Sequence, residues 1–268
     1  MIIEADCLNW MRDQPDNSID LAIYSPPYED ARTYGIDFRL KGQDWVDWMV
    51  ERYIECVRIT KGLVACVVEG KTRQFRWSAT PALLMADLHR AGVRLRKPPA
   101  FCRVGIPGSG GPDWWRNDYE FVVCSSKGKL PWSDNTANGH PPKCPPGGRP
   151  THQTRDGRVN RPRPQREGNV RRERTYKPPK KANAGNVIKL HGGGGHMGSK
   201  LAHENEAPFP EALVEPFVKC FCPPDGIVFD PFCGSGTTLA VAKRLGRKFI
   251  GCDIRESQVE LSTRRVEL

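Results

Sequence analysis

No stretch of this 268-residue chain approaches 18 consecutive apolar residues, which excludes a membrane-spanning helix of the usual kind. The opening residues, MIIEADCLNWMRDQ, lack a basic segment followed by an apolar one, so the chain reads as having no secretory signal. Its ten cysteines, at 7, 56, 66, 102, 124, 144, 220, 222, 233 and 252, follow no framework spacing, and several lie inside apolar runs. That speaks against a disulfide-stapled secreted domain and for reduced, buried thiols in a cytoplasmic protein. No C-x-x-C pair occurs. A zinc module using His191, His196, His203, Cys220 and Cys222 therefore lacks its usual spacing, the HGGGGH stretch reads as a loop with incidental histidines, and no metal site is expected. The nucleotide patterns G-x-G-x-x-G and G-x-x-x-x-G-K-[ST] are missing too, and no internal repeat is visible. Hydrophobic residues reach only 38%, while Gly (26) and Pro (24) are plentiful. One sizeable core remains affordable only if part of the chain lies outside it.

That part is easily found. The net charge of +10 is concentrated between Lys127 and Lys189, where 16 basic and 4 acidic residues fall, leaving 25 and 27 for the rest. Ten of the prolines lie in the same segment, whose aliphatic residues are little more than Leu130, Val159, Val170, Val187 and Ile188. Such a composition cannot build its own core. Most charge runs are solvated surface, but this one is Arg-rich (RDGRVNRPRPQREGNVRRER) and lies between two folded-looking halves. Contact with a polyanion is the better reading, with nucleic acid the commonest such partner and Arg161, Arg163, Arg166, Arg171, Arg172 and Arg174 as candidates.

The flanks alternate strand and helix. Ser18–Tyr24 reads as a strand. Asp44–Ile59 reads as a helix with Asp44 as N-cap and Gly62 just past its end. Leu63–Val68 is a buried strand, Thr80–His89 a helix closed by Gly92, and Val93–Val104 and Tyr119–Cys124 are strands. Further on come a helix over Pro210–Phe221, a strand Ile227–Phe229, a helix Gly236–Leu245, a strand Lys248–Cys252 and a helix Glu256–Val266. The alternation predicts an α/β fold with a largely parallel sheet.

Between strand IVFD and helix TLAVAKRLG runs Asp230-Pro-Phe232-Cys233-Gly234-Ser235-Gly236-Thr237-Thr238. In an open α/β sheet, ligands bind at such strand-to-helix turns. The glycines admit close backbone approach, and the helix start offers N–H groups to an anion. Asp230 repels phosphate and attracts a cation, and Asp253, ending the next strand 23 residues on, occupies the place of a ribose-binding acid. A lone G-x-G would be only a tight turn. With both acids, a cationic, ribose-bearing cofactor such as S-adenosylmethionine fits, its carboxylate at the helix start, its amine by Asp230 and its ribose by Asp253. Cys233 reads as a small packing residue.

Ser25-Pro26-Pro27-Tyr28 also follows a strand. Prolines hold the backbone rigid and donate nothing, so the Ser25 hydroxyl and nearby carbonyls are left to accept, beside the aromatic face of Tyr28. Taken alone, the tetrapeptide could be a Pro-rich turn and no more.

Together, SPPY and DPFCGSGTT resemble the amino-methyltransferases of DNA, and their order, with the variable segment between them, resembles that family's β group. The resemblance covers residues 1–127 and 190–268. Asp6, within Ala5-Asp6-Cys7, is similar to the acid that approaches the cofactor adenine in this family. HENEAPFPEALVEPFV (203–218) resembles the motif before the cofactor strand, though it lacks that motif's lysine, and RNDYEFVVCSSKGK (116–129) the late strand before the recognition region. The resemblance implies a Rossmann-like S-adenosylmethionine-dependent methyltransferase fold with a mixed sheet. It divides the chain into a catalytic half (1–126), a basic, partly flexible target-recognition insertion (127–200) and a cofactor-binding half (201–268). It implies a catalytic loop Ser25, Pro26, Pro27, Tyr28 and a cofactor loop from Asp230 and Phe232 to Thr238 with Asp253. The implied substrate is double-stranded DNA whose target base is flipped out. Ser25 Oγ and the Pro26 carbonyl would accept the amino hydrogens and turn the nitrogen lone pair toward the methyl donor, while Tyr28 stacks on the base. Within the family Ser is commoner at the first catalytic position of N4-cytosine enzymes and Asp in N6-adenine enzymes, so N4-cytosine is the expected target and N6-adenine the alternative. An RNA or protein methyltransferase is a more distant reading. A paired restriction endonuclease and a monomeric or homodimeric state stay open.

Overall fold

The computed structural model describes residues 1–30, 38–105, 113–142, 180–191, 196–205 and 207–268. In chain order these form β1 (Ile2–Glu4), α1 (Cys7–Arg12), β2 (Ile19–Tyr24), α2 (Gly42–Ile59) and β3 (Thr60–Val68). A small hairpin follows, β4 (Thr72–Arg73) and β5 (Arg76–Trp77), then α3 (Thr80–Arg90), β6 (Leu95–Arg96), β7 (Ala100–Val104), β8 (Tyr119–Ser125) and β9 (Val187–His191). A 3-10 turn (Lys200–Glu204) leads to α4 (Glu211–Phe221), β10 (Ile227–Asp230), α5 (Thr237–Arg244), β11 (Lys248–Asp253) and α6 (Glu256–Glu267).

One nine-stranded sheet runs β1-β11-β10-β2-β3-β8-β7-β9, with β6 also on β8. From β1 to β3 all neighbours are parallel; β8 is antiparallel to both β3 and β7, and β9 is parallel to β7. This is the expected mixed α/β sheet. Strand residues alternate between two cores because successive side chains point to opposite faces. Ala22, Tyr24, Val64, Cys66 and Val68 pack with α1, α2 and α3 through Met11, Trp45, Met49, Tyr53, Leu84 and Leu88. Leu21, Ile23, Leu63, Ala65 and Val67 pack on the other face with α4 and α5 through Leu213, Phe217, Val218 and Val241. Strands buried on both faces carry continuous apolar runs, which is why LAIY and LVACVV were legible. Among the described residues no helix is long and apolar enough to cross a membrane.

Two local expectations are corrected. Asp44 lies inside the first turn of α2, whose N-cap is Lys41. Gly62 does lie just past the end of α2, inside β3, where a Cβ would stand 1.9 Å from the Asp20 carbonyl oxygen, so close strand approach demands glycine. The stretch Val93–Val104 is two strands, because Pro98 and Pro99 supply no N–H to the ladder on β8. The ends of the basic segment belong to the folded body. Leu130 packs on the second core, the Asp134 N–H donates to the Cys220 carbonyl (2.8 Å), and β9 is the edge strand beside β7.

Candidate active site

In a parallel sheet every strand ends on the same side. Here β10 and β2 are neighbours whose following helices, α5 and α2, pack on opposite faces, so the crevice between their ends is the switch point of the topology. A cavity of about 820 Å³ opens there, lined by the loops after β1, β2, β3, β10 and β11. Ser25, Pro26, Pro27 and Tyr28 form one side; Asp6, Phe232, Cys233, Gly234, Ser235, Thr237 and Asp253 line the other.

On the first side a chain of hydrogen bonds sets the loop. Ser25 Oγ donates toward Tyr28 Oη and the Val67 carbonyl, both at 3.3 Å, and Tyr28 Oη donates to Glu120 Oε2 at 2.7 Å. Arg103 pairs with Glu120 at 3.2 Å. Burial pushes the Tyr28 phenol well up and the adjacent Glu120 charge adds to it, so the phenol keeps its proton. Ser25's single proton is thus directed into protein, leaving its lone pairs to accept. The Pro27 carbonyl is already occupied by Trp45 Nε1 (2.9 Å). Glu29 is buried beneath the loop, accepting from the Gly42 and Lys71 N–H groups and the Thr80 hydroxyl. Burial alone would raise its pKa, but these bonds and that of Ser78 hold it below the ordinary value. Glu69, at the end of β3, has Oε1 bonded to Gly70 N–H and Trp77 Nε1 while Oε2 is buried without a hydrogen-bond partner; burial raises its carboxyl.

On the second side Asp6 caps α1, Oδ1 accepting from Leu8 and Asn9, while Oδ2 pairs with Arg52 at 3.1 Å. The Arg52 guanidinium lies 4.3 Å from the Trp48 ring centre, and Trp48 packs on Phe38 and Phe232. These flat groups suit a purine ring. Asp253 holds two loops together, accepting from Gly234 N–H and Arg255 N–H, both at 3.0 Å, and burial raises its pKa. Gly234 has φ +47°, and a Cβ there would come 2.9 Å from Asn205 Nδ2. Asn205 Oδ1 is itself buried with no partner. A cradle that excludes a Cβ and an orphaned acceptor beside it fit a ligand bearing an ammonium group. Ser235 and Thr237 are gripped by Arg265, which donates to the Ser235 carbonyl and hydroxyl and to Thr237 Oγ1, and pairs with Glu211 at 2.8 Å.

Some expected residues stand back from the wall. Asp230 has no exposure: Oδ1 accepts the Phe232 N–H, Oδ2 has no partner, and burial raises its carboxyl to about 7 against the pull of Thr238 and Phe232. Thr238 is fully buried and donates to the Ile23 carbonyl, tying the loop to β2, while Gly236 is the N-cap of α5. Cys233 does reach the cavity wall but is only 5% exposed, with a thiol pushed far up by burial, as a packing residue would be. Arg161, Arg163, Arg166, Arg171, Arg172 and Arg174 lie outside the described residues. Among the described residues no three His, Cys, Asp or Glu side chains converge as a metal would require. The sequence reading missed Glu69, Glu120, Arg103, Arg52, Asn205 and Arg265. Only Glu69 had an accessible signal, an acid ending an apolar strand as Asp230 does.

The fold places the Gly-rich loop after β10 and the Ser-Pro-Pro-Tyr loop after β2 on opposite sides of one cavity. The family model described as DNA methylase, of the N6/N4 type, matches residues 19–264, and the chain belongs to this family of DNA methyltransferases, which use S-adenosylmethionine. It is 29% identical to the orphan methyltransferase M.BamHII of Bacillus amyloliquefaciens, over 94% of this chain and 90% of that one. It is 25% identical to the DNA adenine methyltransferase YhdJ of Escherichia coli, over 100% of this chain and 82% of that one. Among solved structures, the PvuII DNA methyltransferase (cytosine-N4-specific) shares the fold with a TM-score of 0.69 at 19% identity, covering 98% of this chain and 85% of that one. A putative DNA modification methylase of Thermus thermophilus, complexed with S-adenosyl-L-methionine, gives 0.61 at 20% identity over 99% and 92%.

Proposed function

We propose that the chain methylates the N4 amino group of a cytosine extruded from double-stranded DNA. The observation that carries this is the Ser25–Tyr28–Glu120 hydrogen-bond chain, which makes Ser25 Oγ an acceptor at the cavity wall. Ser25 Oγ and the Pro26 carbonyl accept the two amino hydrogens, which favours a pyramidal nitrogen with its lone pair free. Tyr28 offers its ring to the base while its hydroxyl is anchored. Glu69, a carboxyl lining the same cavity with its pKa raised by burial, takes the proton that the nitrogen sheds once the methyl group has been transferred. Asn205 Oδ1 and the Gly234 cradle receive the cofactor's amino-acid end, Asp253 its ribose, and Trp48 and Phe232 its ring, with Asp6 beside them. Asp230 acts from behind the wall by ordering the loop. When bound, S-adenosylmethionine supplies an electrophilic methyl group on a cationic sulfur. Serine at the first catalytic position supports cytosine.

A second reading, N6 of adenine, is favoured by the similarity of the whole of this chain to YhdJ, a DNA adenine methyltransferase. Nucleoside mass spectrometry of DNA from cells expressing the protein separates them. N4-methylcytosine is expected; N6-methyladenine alone would overturn the choice of base, and neither product would overturn DNA as substrate.

A further inference from the structure

Directly after Glu69 and Gly70 on the cavity wall, the chain projects a two-residue hairpin, with Thr72 opposite Trp77 and Arg73 opposite Arg76. Its turn residues, Gln74 and Phe75, have φ of +47° and +62°. Turns of this kind ordinarily take Asn-Gly or Gly-Gly, because the left-handed region is strained for other side chains and most of all for a bulky one. Phe75 is nevertheless placed at the tip, and it is 91% exposed, so no burial within the chain offsets that strain.

The hairpin is rooted firmly. Trp77 Nε1 donates to Glu69 Oε1 at 3.2 Å, and the Trp77 ring lies so near Gly70 that a Cβ there would stand 2.4 Å from Nε1. Trp77 also stacks on Phe121 of β8 with ring centres 6.2 Å apart. Lys71 N–H and Ser78 close the base, Lys71 Nζ donates to the Asp30 carbonyl, and Arg73 pairs with Asp30 at 2.6 Å. The result is a stiff projection beside the cavity, tipped with an exposed aromatic ring and flanked by the exposed cations Arg73 and Arg76.

An isolated exposed Phe is ordinary on a protein surface. An aromatic ring held out on a strained turn, between two guanidinium groups and next to a cavity meant for an extruded base, calls for a flat apolar partner inside a polyanion. We infer that Phe75 is a wedge for duplex DNA: it enters the gap that the extruded base leaves in the stack, while Arg73 and Arg76 take the adjoining phosphates. This rests on the DNA methyltransferase reading above. Filling the gap holds the base out of the helix, so the wedge acts on the duplex and not on the chemistry.

The test compares Phe75→Ala and Phe75→Trp with wild type on two DNAs, both carrying the site mapped from the wild-type product. One is the intact duplex; the other places an abasic position opposite the target base, so that extrusion costs little. Phe75→Ala should lose about tenfold or more in kcat/KM on the intact duplex, the scale of one aromatic–base stack. It should regain wild-type rate within about twofold on the abasic duplex, bind S-adenosylmethionine unchanged, and be rescued on the intact duplex by Phe75→Trp. Equal losses on both DNAs, or no loss on either, would overturn the wedge. So would loss confined to a Trp115→Ala control, Trp115 being another strongly exposed aromatic, at 87%. Sedimentation of the same variants covers self-association: a dimer abolished by Phe75→Ala would reassign the tip to a second copy. Failure of the wild-type protein to methylate either DNA would instead strike the underlying reading of function.

Discussion

A serine hydroxyl carries one proton and two lone pairs, and at position 25 the neighbours decide which of them faces a substrate. Tyr28 Oη, committed to Glu120, accepts from Ser25, so the hydroxyl is a poor donor toward the cavity and a good acceptor. Ser25→Ala should lower kcat on the order of 100-fold, as removal of one preorganised hydrogen bond does elsewhere. Tyr28→Phe, which keeps the ring and breaks the chain, should cost about tenfold. In both, cofactor affinity measured by calorimetry should stay at the wild-type value; a parallel loss of affinity would place these residues on the wrong side of the cavity. Asp230 gives a pH signature of its own. Its folded carboxyl titrates at about 7 instead of 3.8, because burial disfavours the charge. Between those values the folded state binds more protons than the unfolded one, so cofactor-free stability falls as pH rises from about 4 to 7 and then levels off. The full span corresponds to about 4 kcal/mol at most. Asp230→Asn should flatten that part of the profile in urea titrations at a series of pH values; an unchanged profile would mean Asp230 is ionised throughout.

The loop proposed to bind the cofactor is held in place by α6 and α4, which reach in from elsewhere. Gly236, at φ +75°, caps α5, and a Cβ on it would stand 2.8 Å from Ser262 Cβ of α6. Gly236→Ala meets both strain and a packed neighbour, and should weaken S-adenosylmethionine binding about tenfold or more with circular dichroism little changed; unchanged binding would show that α6 can yield. Arg265, 4% exposed, joins the loop to Glu211, and removing it leaves a buried carboxylate served only by Arg244. Arg265→Ala should therefore destabilise the fold by about 3 kcal/mol or more, read from urea midpoints. These partners explain what was legible beforehand. SPPY and DPFCGSGTT announce themselves because strand, turn and helix are continuous in sequence. Glu69 and Glu120 share a wall only because β3 and β8 pair with Val68 opposite Phe121, a register that no local pattern carries. Arg265 and Asn205 come from elements distant from the loop, and the amphipathic pattern of α6 gives no hint that one arginine turns inward. The hairpin tipped by Phe75 was unreadable for a different reason: its turn breaks the glycine rule by which such turns are found.

Charge across the molecule is divided between the folded body and the basic segment. Of the 16 basic residues between Lys127 and Lys189, 11 lie in 143–179 with three acids, while outside 127–189 the chain carries 25 basic and 27 acidic residues. A near-neutral body has little long-range attraction for DNA, and the prediction is that the segment supplies it. Its attachment is at the end of the sheet away from the cavity. His140 and Ala182 exchange backbone hydrogen bonds of 3.1 and 2.9 Å, and Asp134 is bonded to the end of α4, where β10 begins. The 37 intervening residues at about 3.3 Å each give roughly 120 Å of contour, so a segment held at both ends by this bridge reaches at most roughly 60 Å, against about 20 Å for a six-residue strand. Replacing Arg161, Arg163, Arg166, Arg171, Arg172 and Arg174 with Ala tests that prediction. Wild-type affinity should fall with salt with a log–log slope of about −0.9 per phosphate neutralised, and each arginine that meets a phosphate should remove about that much from the slope. Methyl transfer at saturating DNA should persist, because the residues proposed to hold the base and the cofactor are left intact. A slope unchanged by all six substitutions would assign the electrostatic contacts to the cavity rim, where Lys71, Arg73, Arg76 and Arg103 stand.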